Sequence, residues 1–268
     1  MRSIESVSGL LRLTAILGDP IARVRAPQRM NALFDQQQRE NVLMVPMHVT
    51  AQGLAGAVNG LRCYENFAGA VITEPHKQAI IPHLDRATAA VMRAGVCNVI
   101  RRTPDGQLEG GLLEGDGFIE GLRRCGYSVS GKRIYLAGAG FTGSAIAHAL
   151  AAQGVSEIVL YNRSDEKGVL LAESLATRHP GVVVIHGTDT PSQCDIAINA
   201  TPAGEGDDSS QAFSVSALGP QTLVCDTVIY PLMTPLLTAA QQAGLATHHG
   251  EQMLDAQISL MADFMLNH

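Results

Sequence analysis

The sequence lacks tryptophan, and aromatic residues make up only 4 % of its 268 residues. Stacking platforms for nucleic-acid bases or sugar rings are therefore not expected. It also lacks a run of basic residues, and its formal net charge is −6. Because nucleic-acid binding depends on clustered Lys and Arg, nucleic acid is excluded as an expected partner.

Long apolar runs are missing as well, because Glu5 and Arg12 interrupt the first apolar stretch. We predict neither a signal peptide nor a membrane span, since a span needs about 18 apolar residues. The five cysteines form no CxxC pair and lie singly among apolar neighbours, which predicts reduced thiols in a cytoplasmic protein. His248 and His249 have no accompanying HxxxH or Cys/His cluster, so no metal site is predicted.

What is present suits a compact α/β enzyme: 46 % of the residues are apolar and 16 % are charged, in a chain long enough for two ordinary domains or one large one. In the first hundred residues predicted strands alternate with predicted helices, which indicates a mostly parallel sheet. The predicted strands are 13–17, 42–48, 67–73 and 96–101, and the predicted helices are 28–38, 51–63 and one that begins at 74–77.

The glycine-rich segment 110–117 predicts a connection that permits a hinge, followed by a helix over 118–125. The second half predicts strands at 134–137, 157–161, 182–186, 195–199 and 222–228, with a polar loop over 199–217. Two amphipathic helices are predicted at 235–243 and 252–266, and no strand is expected to pair beside them.

A dinucleotide site is indicated by Gly138, Gly140 and Gly143, which lie between a short apolar strand and an Ala-rich helix over 142–153. The first glycine permits the turn, the second lets the backbone approach a pyrophosphate, and the third lets helix and strand pack closely. GxGxxG also occurs in ordinary strand-to-helix turns. A second strand that ends at Asn162, about twenty residues further on, is where the ribose-binding group of such folds is expected.

The residues after that strand bear on the choice of cofactor. Arg163, Ser164 and Lys167 suit the 2′-phosphate of NADP, whereas Asp165 favours the free ribose hydroxyls of NAD. A solvated turn is the plain alternative for this run. We expect NADP, and NAD stays open.

Eight motifs, taken together, resemble the shikimate dehydrogenases and their quinate dehydrogenase relatives across essentially the whole chain. They are Gly18-Asp19-Pro20-Ile21-Ala22 with Pro27, Thr73-Glu74-Pro75-His76-Lys77, Ala94-Gly95-Val96-Cys97-Asn98, Asp116-Gly117, GAGFTGSA from Gly138, Asn162-Arg163-Ser164, Ile198-Asn199-Ala200-Thr201-Pro202, and Gln252-Met253-Leu254 with Gln257.

The resemblance implies an α/β protein with two domains around a cleft. Residues 1–115, rejoined by 245–268, would form a mostly parallel substrate domain that holds a small hydroxy acid. Residues 116–244 would form a Rossmann domain that holds NADP or NAD. Asn199, Thr201 and Met253 would join the glycine turn in binding the cofactor.

The resemblance further implies that Lys77 and Asp116 are the catalytic pair and that Thr73, Asn98 and Gln257 hydrogen-bond the ring hydroxyls. Hydride transfer at a ring alcohol needs a proton partner and a nearby positive charge, which a lysine beside a carboxylate supplies. Read singly, each of these five residues also has a plain role, as a solvated, turn-forming, strand-filling or exposed polar residue.

The chain departs from the family pattern where the substrate carboxylate is expected. Val24 and Ala26 occupy the positions of two serines, Ile229 occupies the position of a tyrosine, and Val71 that of an asparagine. We hypothesise that Arg25, or failing that Arg23, replaces the lost hydroxyls with a charge-assisted contact. The alternative is that both arginines are solvated and the substrate is different.

The sequence thus predicts an NADP-dependent dehydrogenase for a shikimate-like hydroxy acid, acting as a monomer or homodimer. One alternative is an NAD-dependent enzyme for a quinate-like or other hydroaromatic substrate. Another is a catalytically weak dinucleotide-binding regulatory protein, although the presence of both Lys77 and Asp116 argues against it. Other NADP dehydrogenases and tetrapyrrole-synthesis reductases share the second domain's motifs but not the Lys77, Asn98 and Asp116 series.

Overall fold

The computed structural model describes residues 8–22, 24–191 and 193–267, which form two compact units. Unit 1 comprises the described residues up to Leu113 and from Ile258 onwards, and unit 2 comprises Glu114–Gln257. The sequence predicts boundaries at 115/116 and 244/245. The second division of the structure falls later in the chain, within a helix, α9 (Gly250–Leu266).

Unit 1 is built on a six-stranded sheet with the strand order β2-β1-β3-β5-β6-β4. Its strands are β1 (Arg12–Gly18), β2 (Val42–His48), β3 (Phe67–Ile72), β4 (Arg86–Ala87), β5 (Val99–Arg102) and β6 (Leu108–Gly111). Its helices are α1 (Ala26–Gln36), α2 (Leu54–Arg62), α3 (His76–Ala79) and α4 (Ala89–Ala94), with a 3₁₀ turn at Ile81–His83 and the last turns of α9.

The sheet of unit 1 is mixed, with both parallel and antiparallel strand pairs. Strands β2, β1 and β3 run parallel, as predicted, whereas β5 runs antiparallel to both β3 and β6. The antiparallel pairing of β5 with β6 follows from a tight turn in which Thr103 N donates to Gln107 O at 2.8 Å and Gly106 takes a φ of +81°. A hairpin of this length can only join antiparallel strands. All six residues of β3 are buried, as expected of a strand covered on both faces.

The end of α9 completes unit 1. The guanidinium of Arg101 on β5 lies 4.9 Å from the ring centroid of Phe264, and Arg12 Nη1 donates to Leu266 O at 3.3 Å. Strands β5 and β1 are thus both tied to the last turns of the helix.

Unit 2 is an entirely parallel six-stranded sheet with the order β12-β11-β10-β7-β8-β9. Its strands are β7 (Arg133–Ala137), β8 (Glu157–Tyr161), β9 (Val183–His186), β10 (Ile196–Asn199), β11 (Leu223–Asp226) and β12 (Ala246–His248). Its helices are α5 (Glu114–Arg124), α6 (Phe141–Ala152), α7 (Asp165–Arg178), α8 (Pro235–Gln242) and the first turns of α9.

Strand β7 shows how the core of unit 2 is divided. Ile134 and Leu136 contribute to one buried cluster, while Tyr135 and Ala137 contribute to another. Because successive side chains of a strand point to opposite faces, the sheet is covered on both sides. This is the doubly wound architecture that the sequence predicts.

The strand order places a topological switch point between β7 and β10. From β7 the chain proceeds outward through β8 and β9, and it then returns to form β10, β11 and β12 on the other side. In parallel sheets of this kind ligands bind outside the carboxyl ends of the strands at the switch point. The turns after β7 and β10 therefore lie where a ligand of unit 2 is expected.

Two expectations about connections need correction. The division between the units does fall within 110–117, after Leu113, but the connection is shorter than predicted, because β6 ends at Gly111 and α5 begins at Glu114. A Cβ on Gly115 would lie 2.3 Å from Ala145 O, so this glycine permits close packing of α5 on α6. The helices near the end of the chain do have a strand beside them, since β12 lies between α8 and α9 and pairs with β11. Among the described residues, no helix is long and apolar enough to cross a membrane.

Candidate active site

In unit 1 the backbone brings three of the predicted substrate and catalytic residues together at the carboxyl end of β3. Ile72 N donates to Asn98 O at 2.9 Å, Cys97 N donates to Lys77 O at 2.8 Å, and Thr73 N donates to Leu17 O at 3.0 Å. Residues 72–77 and 97–98 are thus joined by hydrogen bonds between strands and turns. Thr73, Lys77 and Asn98 form what we call the β3-end cluster.

Asn98 is the most informative member of this cluster. Its side chain is 2 % exposed, and its Oδ1 accepts from Leu113 N at 3.0 Å. Its Nδ2 is buried and has no hydrogen-bond partner among the described residues. An unsatisfied buried donor costs about 1–3 kcal/mol, so such a group calls for an explanation. A ligand oxygen that accepts from Nδ2 would provide one.

Lys77 is the cationic member of the β3-end cluster. Its side chain is 18 % exposed, and its Nζ lies 3.8 Å from Glu74 Oε1 on an exposed glutamate. A pair at this distance with one solvated partner is weak. The ammonium group is thus partly desolvated, and the backbone of Lys77 is joined to the segment that carries Asn98.

The segment predicted to bind a carboxylate offers little hydrogen-bonding capacity. Val24 is half-buried, Ala26 is 8 % exposed, and neither side chain carries a polar atom. Arg25 is exposed at the residue preceding α1, and its guanidinium has no ion pair or hydrogen bond within the described ranges. Arg23 lies outside the described residues.

In unit 2 the glycine turn follows β7 at the switch point. Gly138 has a φ of +115°, and a Cβ there would lie 2.7 Å from Ala200 O. A Cβ on Gly143 would lie 2.1 Å from Gly138 O, whereas Gly140 faces open space. Helix α6 begins after Gly140 without a side-chain cap, so its first N–H groups point into that space. The turn therefore has the shape and polarity that a pyrophosphate requires.

Asn162 ties the end of β8 to this turn. Its Oδ1 accepts from Ala139 N at 2.9 Å, and its Nδ2 donates to Ser164 O at 2.8 Å. Both ends of the amide are engaged, so its effect is to hold the turn in place. Ser164, with the neighbouring Arg163 and Lys167, is exposed at the start of α7. These side chains are available to a phosphate near the end of β8.

The turn after β10 carries the remaining predicted cofactor residues. Asn199 is fully buried, and its side chain hydrogen-bonds Thr201. Met253, on α9, is 7 % exposed and belongs to the main buried cluster of unit 2. A Cβ added to Gly121 on α5 would lie 3.2 Å from the Cα of Met253. Thr201 is therefore at the switch point, whereas Met253 lies in the packing between α9 and α5.

Asp116 lies in the first turn of α5 with its side chain exposed, and partial desolvation by the surrounding protein raises the pKa of its carboxyl. The next residue, Gly117, packs against Gln257, whose Cβ would be 2.7 Å from a Cβ on the glycine. Asp116 and Gln257 are thus on adjoining turns of packed helices within unit 2.

Two buried carboxylates that contact elements of these turns are not among the predicted site residues. Glu114 is 6 % exposed and accepts from Thr142 Oγ1 at 3.3 Å, next to the start of α6. Asp226 is 1 % exposed at the end of β11. The signal for Asp226 was an acidic residue that closes an apolar strand, TLVCD. No comparable signal marks Glu114, because the glycines around it indicate a loop.

Comparison with known proteins bears on this arrangement. The family model described as the shikimate dehydrogenase substrate binding domain matches residues 16–100, and the one described as shikimate / quinate 5-dehydrogenase matches residues 121–206. The shikimate dehydrogenase (NADP(+)) of Lysinibacillus sphaericus is 33 % identical over 232 residues, which cover 86 % of this chain and 83 % of the relative.

The chain belongs to the shikimate dehydrogenase family.

Similar solved structures extend the comparison to the fold. Shikimate 5-dehydrogenase of Thermus thermophilus, in complex with NADP(H) and shikimate, is 26 % identical with a TM-score of 0.85, and the match covers 96 % of this chain and 94 % of the other. The ligand-free 5-ketofructose reductase of a Gluconobacter species is 28 % identical with a TM-score of 0.88 over the same shares of the two chains. The predicted family and α/β fold are confirmed.

Proposed function

We propose that the protein is an NADP-dependent oxidoreductase that interconverts a shikimate-like hydroxy acid and its 3-dehydro ketone by hydride transfer. Unit 1 holds the hydroxy acid and unit 2 holds the dinucleotide. Lys77 and Asp116 are the catalytic pair, and Thr73, Asn98 and Gln257 bind ring hydroxyls. Membership of the shikimate dehydrogenase family supports this assignment.

The observation that carries the proposal is the Nδ2 group of Asn98, which is buried in the β3-end cluster. A buried Nδ2 without an acceptor among the described residues suits a substrate hydroxyl oxygen, because binding would supply the missing hydrogen bond. Lys77 O accepts from the backbone N of the residue before Asn98, so the backbones that carry the two side chains are joined. A polyhydroxylated ring would satisfy both groups.

The glycine turn of unit 2 fits a dinucleotide on its own geometry. A Cβ at Gly143 would strike the backbone of Gly138, while Gly140 leaves room for a pyrophosphate at the uncapped start of α6. When bound, NADP supplies the acceptor for the hydride. Arg163, Ser164 and Lys167 are exposed where a 2′-phosphate would lie, which supports NADP over NAD.

The proton chemistry falls to Lys77 and Asp116. In the oxidative direction the hydride leaves the carbon that bears the hydroxyl, and the proton leaves the hydroxyl oxygen. Negative charge therefore develops on that oxygen. Lys77 Nζ stabilises that charge by donating a hydrogen bond. Asp116 is suited to accept the proton, because desolvation raises the pKa of its carboxyl.

Initial rates at the nicotinamide absorbance band test the proposal, with NADP and NAD each offered shikimate, quinate and related hydroxy acids. We expect turnover with NADP, and we expect Lys77→Ala to lower kcat by at least about two orders of magnitude, as for the loss of a donor that stabilises charge on oxygen. Nicotinamide fluorescence with the same variant should show unchanged dinucleotide binding. Dinucleotide binding without turnover on any substrate would instead favour the catalytically weak regulatory protein.

We also propose that Arg25 binds the substrate carboxylate in place of the hydroxyls that Val24 and Ala26 lack. Its guanidinium is exposed and has no partner within the described ranges, so it is available to a ligand. Arg25→Ala should raise the KM for a carboxylate substrate at least tenfold, equivalent to about 1.4 kcal/mol. Arg93→Ala removes an exposed arginine from α4 and serves as the control for charge alone. Equal KM values for the two variants would reject the contact.

A second candidate function is reduction of a neutral polyhydroxy ketone. It is favoured by the apolar side chains of Val24 and Ala26, together with the similarity to a 5-ketofructose reductase. Adding 5-ketofructose to the substrate panel distinguishes the two. Turnover of the keto sugar with a KM that is unaffected by Arg25→Ala would select this alternative.

We further propose that the protein acts in the cytoplasm as a monomer or homodimer. All five cysteines are free, which fits a reducing compartment. Light scattering coupled to size exclusion decides between the two assemblies.

A further inference from the structure

A buried carboxylate outside the proposed catalytic pair lies at the carboxyl ends of β10 and β11. Asp226 Oδ1 accepts from Asn199 Nδ2 and from Val228 N, both at 3.0 Å. Its Oδ2 accepts from Thr234 Oγ1 at 2.7 Å, and that hydroxyl also caps α8 by accepting from Leu237 N. One side chain thus joins β10, the turn after β11 and the start of α8.

The side chain of Asn199 connects Asp226 to the turn after β10. Its Nδ2 donates to Asp226 and to Ala203 O, the latter at 3.2 Å. Its Oδ1 accepts from Thr201 N at 2.9 Å and from Thr201 Oγ1 at 2.7 Å. Because an ionised carboxylate can only accept, it fixes which end of the amide faces Asp226 and which end faces Thr201.

The turn held by Asn199 lies directly against the glycine turn. A Cβ at Gly138 would lie 2.7 Å from Ala200 O and 3.1 Å from Thr201 Cγ2. The two turns are those that flank the switch point between β7 and β10. Any rotation of the Asn199 amide therefore moves a wall of the place where the dinucleotide is proposed to bind.

We propose that Asp226 is a positioning residue for dinucleotide binding, which acts through Asn199 to hold residues 200–203 against the glycine turn. The inference rests on the proposed binding of NADP by unit 2. A carboxylate at this place is costly, since burial raises the pKa of Asp226 to about 6 against the opposing effect of its hydrogen bonds. A purely stabilising side chain at this place would not need to be charged. An ionised acceptor is needed to fix the orientation of the Asn199 amide.

The test is the dissociation constant of NADPH, measured by nicotinamide fluorescence at a pH well above 6, together with the melting temperature of each variant. Asp226→Asn keeps the shape of the side chain but can present an N–H₂ group to Asn199. We expect about tenfold weaker NADPH binding, since one reoriented buried hydrogen bond is comparable to a factor of ten.

Exchanging the two groups supplies the rescue. In the double variant Asn199→Asp/Asp226→Asn, the carboxylate at 199 still accepts from both Thr201 donors, and the amide at 226 can donate to it. We expect the double variant to recover part of the NADPH binding that Asp226→Asn loses, because both Thr201 donors keep an acceptor and the contact between positions 199 and 226 is restored. Recovery is incomplete, since the hydrogen bonds to Ala203 O and from Val228 N are lost. A merely structural pair would not show recovery of binding.

Thr222→Val is the matched control. Thr222 is 2 % exposed at the opposite end of β11, and its Oγ1 donates to Cys194 O at 2.8 Å. This variant should lower the melting temperature while leaving the NADPH dissociation constant unchanged. An Asp226→Asn protein that melts earlier but binds NADPH like the wild type would overturn the positioning role. A wild type that binds no NADPH would overturn the proposed function and this inference with it.

Discussion

The β3-end cluster of unit 1 and the glycine turn of unit 2 are built on opposite principles. The turn depends on the absence of side chains, because a Cβ at Gly138 or Gly143 would strike backbone atoms. The cluster depends on side chains that the fold leaves available, such as the Asn98 amide, whose Nδ2 has no partner in the described part of the chain. The side-chain amides of the two places differ as well: Asn162, beside the glycine turn, has hydrogen-bond partners at both its oxygen and its nitrogen.

The difference shows where specificity can change within such a protein. A site defined by backbone shape tolerates no new side chain, so it keeps one kind of ligand. A site defined by side chains can exchange them without disturbing the strands that carry them. The resemblance predicts an exchange of that kind at Val24 and Ala26 of unit 1.

The largest effect is expected when a methyl group is added to the glycine turn. Gly143→Ala would place a Cβ 2.1 Å from Gly138 O, and only a backbone shift could relieve the clash. We expect the free energy of unfolding to fall by about 3 kcal/mol, at the upper end for overpacking, and NADPH binding to be lost.

Gly140→Ala is the matched control for this variant, because Gly140 has a φ of −77° and faces open space. It should leave the free energy of unfolding within about 0.5 kcal/mol of the wild type while still weakening NADPH binding. Denaturant unfolding and fluorescence titration separate the two effects. Equal stability of the two variants would contradict the shape argument.

The next largest effect concerns the pH dependence of stability. Two buried groups in unit 2, His248 and Asp226, change the free energy of unfolding in opposite directions as the pH falls. Burial lowers the pKa of His248 to about 4. Its unfolded pKa is near 6.5, so acid favours the unfolded state between pH 6.5 and 4. Asp226 has a folded pKa of about 6 against an ordinary 3.8, so stability falls as the pH rises through that range.

The two contributions nearly cancel in the wild type, and each reaches about 3 kcal/mol. His248→Phe should therefore lose stability relative to the wild type as the pH rises from about 4 to 6. Asp226→Asn should lose it as the pH falls from about 6.5 to 4. Denaturant unfolding across this range checks both slopes, and parallel curves for wild type and variants would refute the assignment.

The smallest expected effect tests the cluster of unit 1. Thr73→Val retains the methyl group that packs on Gly18 and the backbone N that donates to Leu17 O, and it removes only the hydroxyl. We expect kcat/KM to fall about tenfold, equivalent to about 1.4 kcal/mol, with the stability unchanged. Thr73→Ser keeps the hydroxyl and should retain activity. If Val and Ser variants were equally active, the hydroxyl would have no part in substrate binding.

Much of the fold could be predicted because apolar periodicity is strong in the central strands. The predicted strands 42–48 and 157–161 coincide with β2 and β8. Strand β12 was missed because three residues, only one of them buried, carry no period, and its position depends on pairing with β11. The start of α5 was mistaken for a loop, since glycines that permit close packing resemble glycines that permit turns.

The site could be predicted only as far as its motifs reach. The resemblance groups Thr73, Lys77 and Asn98, and the structure brings them together at the end of β3. It could not reveal that Leu113 N occupies one end of the Asn98 amide, while no described residue accepts from the other. That distinction depends on hydrogen bonds between residues distant in sequence, as does the burial of Asp226.

The passage of α9 from unit 2 into unit 1 has a consequence for synthesis on the ribosome. Unit 2 is one continuous stretch, whereas unit 1 needs Phe264 and Leu266 to complete its contacts with Arg101 and Arg12. Those residues are translated after all of unit 2. Domains usually fold in the order in which they emerge, with the N-terminal one first. Here unit 2 can complete its folding before unit 1, although most of unit 1 is synthesised first. Unit 1 lacks its last contacts until the final turns of α9 have been translated.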